Sequence, residues 1–278
     1  MNIFHLKAFF EPGRSWSMFD NLLYEIDHQV AAITMNRPDS ANGMDQGMIR
    51  DLVAAFRQVE TEPDVRVVVL RAKGKLFSGG GDMEWMSQMV DQGQTFDASD
   101  IYRANEIAQA IRNVSKPVLA AVHGTVAGGA AGVIMACDFR VMSDQAKIVP
   151  AFSNIGLSGD SGLIYSLMLS LGFSRTYEIM ALGQVISAQD AKDWGLVTRL
   201  ASPENFEATV NDFIDLLLNR PTLALARQKA AMNAFFYQDL AKFGLSEAVN
   251  IPYLSGTEDF KQAIKGFVNK EAVDFQGK

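Results

Sequence analysis

The chain has 278 residues, 48% apolar and 21% charged, a length and composition that suit a soluble globular protein with one sizeable core. Its net charge is −7 and it has no lysine or arginine cluster of the kind a nucleic-acid binder presents. One cysteine, Cys137, excludes an intrachain disulfide and fits a reducing cytoplasm, and no apolar run reaches the ~18–20 residues of a membrane span.

Residues 1–17 read as an N-terminal extension. Their apolar stretch is too short and their positive charge too small for a secretory signal, and Met18 is an alternative start. Residues 22–36 predict two short strands joined by a turn at His28-Gln29. Met48, Ile49, Leu52, Val53, Phe56 and Val59 recur at helical spacing, and Pro63 follows that helix. The run VRVVVLRA (65–72) hardly alternates, which predicts a strand buried on both faces, as in a parallel sheet.

A glycine turn, Gly79-Gly80-Gly81, comes next. A helix is predicted over 99–114, a buried strand over 118–124, and a second glycine turn, Gly128-Gly129, leads into AAGVIMAC. Strands follow at 139–143 and 147–151, then helices at 161–171, 174–182 and 188–194, and a strand at 196–200. The main domain is placed at 18–202. Residues 203–278 form a C-terminal helical region, with helices predicted over 203–219, 222–240 and 257–269. The fold class is α/β with helical units appended.

Three motifs invite chemistry. Gly159-Asp160-Ser161-Gly162 matches the nucleophile tetrapeptide of trypsin-like proteases. That architecture is all-β and usually disulfide-stapled, and the base would have to be His123 at the end of a buried strand. The plainer reading is a helix start, with Asp160 or Ser158 as cap. The glycines at 124, 128, 129 and 132 do not form G-x-G-x-x-G, and no P-loop is present, so nucleotide binding is disfavoured. His5, His28 and His123 lie far apart and, with Cys137, form no metal-ligand spacing; no metal is expected. The two glycine turns offer backbone N–H groups at Gly81 and Gly129, the latter at the positive end of a helix. Two such donors would make an oxyanion hole; the alternative is that glycine serves only chain reversal.

Several longer stretches resemble one family. KPVLAAVHGTVAGGAAGVIMACDFRVMSDQAKI (116–148), LFSGGGDMEWM (76–86), ITMNRPDSANGM (33–44) and VISAQDAKDWGLVTRL (185–200) resemble the crotonase, or enoyl-CoA hydratase/isomerase, superfamily. The order and spacing hold from about Met18 to TEDFKQAIKGFVNK (257–270). The resemblance implies a crotonase-type spiral of ββα units with a C-terminal helical trimerisation region, trimers or hexamers, acyl-CoA thioester substrates, and no cofactor beyond the coenzyme A of the substrate. It places the oxyanion donors on the N–H groups of Gly81 and Gly129.

The departures redirect the chemistry. The two glutamates of family hydratases are replaced by Gly132 and Phe152. AFSNIGLSGDSG (151–162) resembles the loop of the isomerase-like branch, including the isomerase of phenylacetate catabolism, in which a single aspartate stands at the position of Asp160. The expected activity is therefore double-bond isomerisation with Asp160 as acid/base among Phe152, Leu157 and Leu163. Ser161 becomes a first-turn helix residue. Other enolate chemistry and an inactive acyl-CoA binder remain the alternatives. A dehalogenase would need a histidine on the 99–114 helix, which has Asn105 and Gln109 instead. Trp85 and Met86 are expected to line the acyl pocket with Phe152 and Leu157. Arg37, Arg71, Lys73 and Lys75 are the candidate cations for coenzyme A. His123, Asp82 and Asp138 are expected to be structural.

Overall fold

The computed structural model describes residues 19–278; the extension expected over 1–17, and the start at Met18, lie outside the described residues. The chain opens with an antiparallel hairpin of β1 (Leu22–Asp27) and β2 (Val30–Met35). The two residues that join them, His28 and Gln29, both take positive φ (44° and 70°), which makes the tight turn. Helix α1 (Gln46–Glu60) follows, its first turn capped by Asp45, whose carboxylate accepts the Met48 N–H at 2.8 Å. Then come β3 (Val67–Ala72), α2 (Met83–Asp91), α3 (Ala98–Asn113), β4 (Val118–Val122), β5 (Val126–Ala127), α4 (Gly128–Ala136), β6 (Phe139–Ser143) and β7 (Lys147–Val149). The second half holds α5 (Leu163–Leu182), β8 (Ile186–Ser187), α6 (Ala188–Asp193), β9 (Arg199–Ala201), α7 (Phe206–Leu218), α8 (Thr222–Phe236), α9 (Leu240–Ser255) and α10 (Glu258–Asn269).

The main sheet runs β1-β2-β3-β4-β6-β9 and is parallel except for the opening hairpin. A small sheet, β5-β7-β8, stands apart. The unalternating run in β3 is explained by its two covered faces. Val68 and Leu70 enter the principal core, while Val67 and Val69 turn the other way onto α7, against Phe206, Val210 and Phe213. The C-terminal helices are therefore woven into the fold: α7 covers one sheet face, and Leu240, Ala248 and Ile251 of α9 and Phe260 and Ile264 of α10 join the main core.

Several elements differ from expectation. The helices predicted at 161–171 and 174–182 are one element, α5, broken at Gly172 (φ 74°). It begins at Leu163 because Ser161 and Gly162 are both left-handed (φ 57° and 68°) and cannot continue a right-handed helix backward. Ser161 is thus outside the helix, contrary to its assignment to the first turn. The helix predicted to 240 stops at Phe236, and α9 was not anticipated. Its Pro252 sits one turn before the helix end, and its apolar positions give a weak stripe. Among the described residues no helix is long and apolar enough to cross a membrane.

Candidate active site

The two glycine turns meet. Ser78 and Val126 form an isolated parallel bridge that pins the end of β3's following loop to β5. A Cβ on Gly80 would lie 2.9 Å from the Ala127 carbonyl oxygen, so only glycine permits this approach. A Cβ on Gly128 would lie 3.9 Å from the Gly81 nitrogen, which sets that N–H beside the start of α4. Gly129 is the second residue of α4, so its N–H belongs to the first turn, where no intrahelical acceptor exists. Both N–H groups border one cavity of about 650 Å³.

The first turn also has scaffolding. Ser78 Oγ donates to the Asn42 carbonyl at 2.8 Å, and the fully buried Asn42 donates to the carbonyls of Lys73 and Phe77 at 2.8 and 3.0 Å. Asp82 caps α2 by accepting the Glu84 and Trp85 N–H groups, both at 3.1 Å. Arg37 reaches across to Asp82 (3.2 Å) and Asp45 (2.7 Å) and donates to the Gly43 carbonyl at 3.1 Å. Its charge is committed to that staple, so Arg37 does not stand as a cation facing the cavity. Lys73 and Lys75 are exposed and lie outside the cavity lining, and Arg71 pairs with Glu207 at 2.9 Å. The cation that does line the cavity is Arg103 on α3, exposed at its mouth. Sequence reasoning missed it because a lone arginine on a helix looks like any solvated face.

Trp85, Met86, Phe152 and Leu157 all line the cavity. Met86 packs directly on Gly81: its methyl carbon lies 2.1 Å from where a Cβ on that glycine would be. Trp85 meets Phe96 edge-on at 5.4 Å, and Phe96 leans on Phe260 of α10. His123 is bound at Nε2 to the Gly74 carbonyl at 2.9 Å, a structural tie.

Asp160 enters the cavity from the loop before α5. Its carboxylate is not a helix cap; α5 has no side-chain cap, and the Leu163 N–H bonds instead to the Asp160 backbone carbonyl at 3.1 Å. Oδ1 accepts the Ser161 hydroxyl at 2.8 Å. A Cβ on Gly129 would fall 2.9 Å from that same oxygen, which brings the carboxylate against the second glycine turn. Burial pushes the Asp160 pKa up to about 6, opposed by the Ser161 hydrogen bond. Gly132 admits no side chain. A Cβ there would lie 2.5 Å from the Ser161 carbonyl oxygen, so the turn bearing Asp160 occupies that space. Glu106, a neighbouring acid on α3, pairs with Arg57 at 3.2 Å and is not part of the lining.

A carboxylate facing an apolar cavity, beside free N–H groups at a helix start, can move protons on carbon next to a polarised carbonyl. Among the described residues no set of three or more potential metal ligands gathers.

Comparison with known proteins agrees over nearly the whole chain. Residues 25–278 match the enoyl-CoA hydratase/isomerase family. A trans-2-decenoyl-[acyl-carrier-protein] isomerase of Streptococcus mutans is 29% identical over 94% of this chain and 99% of its own. A 1,2-epoxyphenylacetyl-CoA isomerase of Escherichia coli K12 is 28% identical over 94% of this chain and 100% of its own. The crystal structure of an enoyl-CoA hydratase from Mycobacterium avium subsp. paratuberculosis superposes with a TM-score of 0.85 at 29% identity, covering 93% of this chain and 99% of that one.

Proposed function

Because the chain belongs to the enoyl-CoA hydratase/isomerase family, we propose that it is an acyl-CoA double-bond isomerase with Asp160 as its acid/base and the N–H groups of Gly81 and Gly129 as its oxyanion hole. The observation that carries this reading is the approach of the Asp160 carboxylate to Gly129 in a cavity lined by Phe152, where Gly132 has no room for a side chain.

The chemistry needs one base used twice. Ionised Asp160 takes a proton from C2 of a 3-enoyl thioester, and the C–H electron pair delocalises onto the thioester oxygen as a dienolate. The two N–H donors stabilise that charge, an effect worth a few kcal/mol per donor. Neutral Asp160 then returns the proton to C4, so the 3,4 double bond is lost, a 2,3 double bond forms and the carboxylate is regenerated. A pKa of about 6 leaves Asp160 ionised at neutral pH yet a stronger base than an exposed carboxylate. Trp85, Met86, Phe152 and Leu157 serve the acyl group, and Arg103 takes over from Arg37, Lys73 and Lys75 as the cation that meets the coenzyme A phosphates.

Asp160→Asn tests the base. The variant is expected to fold, bind acyl-CoA and lose at least ~100-fold in turnover, the low end for general acid–base catalysis. Exchange of the C2 proton of a 3-enoyl-CoA with heavy water should vanish with it. If the Asn variant exchanges as fast as the wild type, Asp160 is not the base.

Assembly belongs to the same proposal. Leu223, Phe235, Tyr253 and Val249 are 84%, 78%, 77% and 71% exposed, more apolar surface than isolated residues supply. We expect a trimer or hexamer in a reducing cytoplasm, with α8 and α9 in contact between protomers. A monodisperse monomer in light scattering at micromolar concentration would argue against it. Phe213 and Leu217 of α7 are buried against the chain's own sheet and do not belong to that exposed surface.

A further inference from the structure

A second carboxyl, Glu247 of α9, is buried behind Asp160, and the chemistry above gives it nothing to do. It is 3% exposed. Its Oε2 accepts the Gly162 N–H in a long hydrogen bond of 3.4 Å, and its Oε1 has no partner. Asn105 of α3 lies beside it: Nδ2 donates to the Gly244 carbonyl at 3.0 Å, one turn before Glu247, and the buried Oδ1 has no donor either. The Asn105 side chain favours the charged form of Glu247, but no donor stands within hydrogen-bond distance of Oε1. An ionised Glu247 would be a buried charge with one long backbone bond and no cation beside it, the costliest arrangement for a buried polar group. A proton on Glu247 removes the charge.

The turn that Glu247 touches is one that needs holding. Ser161 and Gly162 are consecutive left-handed residues, and such backbone persists only where the surroundings over-determine it. The Ser161 hydroxyl fastens it on the cavity side and Glu247 on the far side. We propose that Glu247 is a positioning residue that works as a neutral acid: it holds the Asp160-Ser161-Gly162 turn through the Gly162 N–H and, by staying uncharged, adds no second negative charge beside Asp160. This rests on the reading of Asp160 as the base.

The electrostatics agree. The groups acting on Glu247 are Asp160 from the turn, the Gly162 N–H and Asn105 of α3, and none is a cation. The charged residues of α10, which also packs on α9, are engaged or turned outward, Lys261 pairing with Glu258 at 2.8 Å and Lys265 being exposed. Burial first, then the Asp160 charge, push the Glu247 pKa up to about 8. Above that pH an ionised Glu247 would set a second negative charge near the developing dienolate.

Glu247→Gln and Glu247→Ala, in the full chain, separate this from a plain structural role. Glutamine reproduces a neutral acid, accepting through one atom and donating through the other. It is expected to retain turnover within about threefold of wild type at neutral pH, and alanine to lose ~10–100-fold in kcat with a smaller change in KM, as a misplaced base does. The wild-type pH profile should fall on the alkaline side, and that limb should be absent from the glutamine variant. The infrared carbonyl band of a protonated buried carboxyl, present in wild type at neutral pH, should vanish in Glu247→Gln. Glutamine as damaging as alanine, an alkaline limb that survives in it, or no change in the infrared band each overturns the proposal. The infrared result does not depend on turnover, so a failure of the Asp160 reading, seen as undiminished proton exchange in Asp160→Asn, stays distinguishable.

Discussion

Two carboxylate clusters, each largely shielded from solvent, are built to opposite ends. Asp138, at the foot of β6, is surrounded by donors: Arg112 at 2.8 Å, Lys229 at 2.7 Å and the Val118 N–H at 2.8 Å. Arg112 is further tied to Asn233 and stacks over Tyr237, and Lys229 donates to the carbonyls of Ile111 and Lys116. That cluster joins α3, β4 and α8, and its carboxylate is matched by cations. Asp160 has one hydroxyl donor and Glu247 one long backbone bond, with no cation for either. The first arrangement fixes a charge in place; the second leaves charge costly, so that protons bind tightly and can be handed on. Buried acids alone do not mark a site, therefore. What marks it is the missing compensation.

The largest effect should come from breaking the matched cluster. Asp138→Asn leaves Arg112 and Lys229 buried without their shared anion, and breaking such a pair costs about 3–5 kcal/mol. A denaturant titration should show that loss, while turnover per folded molecule changes little. Next comes the packing that seats the unmatched cluster. Gly132→Ala sets a methyl 2.5 Å from the Ser161 carbonyl oxygen, a backbone atom that must shift. Overpacking of this kind costs about 1–3 kcal/mol. Because the shifted turn carries Asp160, turnover should fall along with stability; a variant that loses stability but keeps full turnover would show the turn tolerates displacement.

The smallest effect concerns pH. The Glu247 pKa is raised from 4.5 to about 8. Between these values the unfolded chain has released a proton that the folded chain retains, so this residue's contribution to stability falls as pH rises from about 4.5 and levels off above about 8. Glu247→Gln removes that slope. The variant should gain on the wild type steadily from pH 5 to pH 8, read as the difference in unfolding midpoint, and a constant difference across that range would contradict the raised proton affinity.

Much of the framework was legible in residue order. The double-sided burial of β3 followed from its unbroken valines, α1 from its apolar stripe, and the convergence of two glycine turns from glycines that follow buried strands. The motif at 159–162 permitted a nucleophile, a cap or a base, and tertiary structure removes the cap: Ser161 takes positive φ, α5 starts two residues later, and Asp160 lines the cavity rather than capping a helix end. Arg37, expected to meet coenzyme A, is tied to Asp45 and Asp82, and Arg103, which the sequence did not single out, lines the cavity, since a cation's partners are not visible along the chain.

Glu247 marks the limit most clearly. In sequence it is an ordinary acid in a helix weakened by Pro252, within a segment whose pattern did not announce a helix at all. It meets Gly162 across 85 residues of chain. Backbone preference, turn chemistry and apolar periodicity act over a few residues and can be read from a string of letters. Desolvation and the coupling of two charges depend on which distant surfaces close over a group, and only the folded chain specifies that.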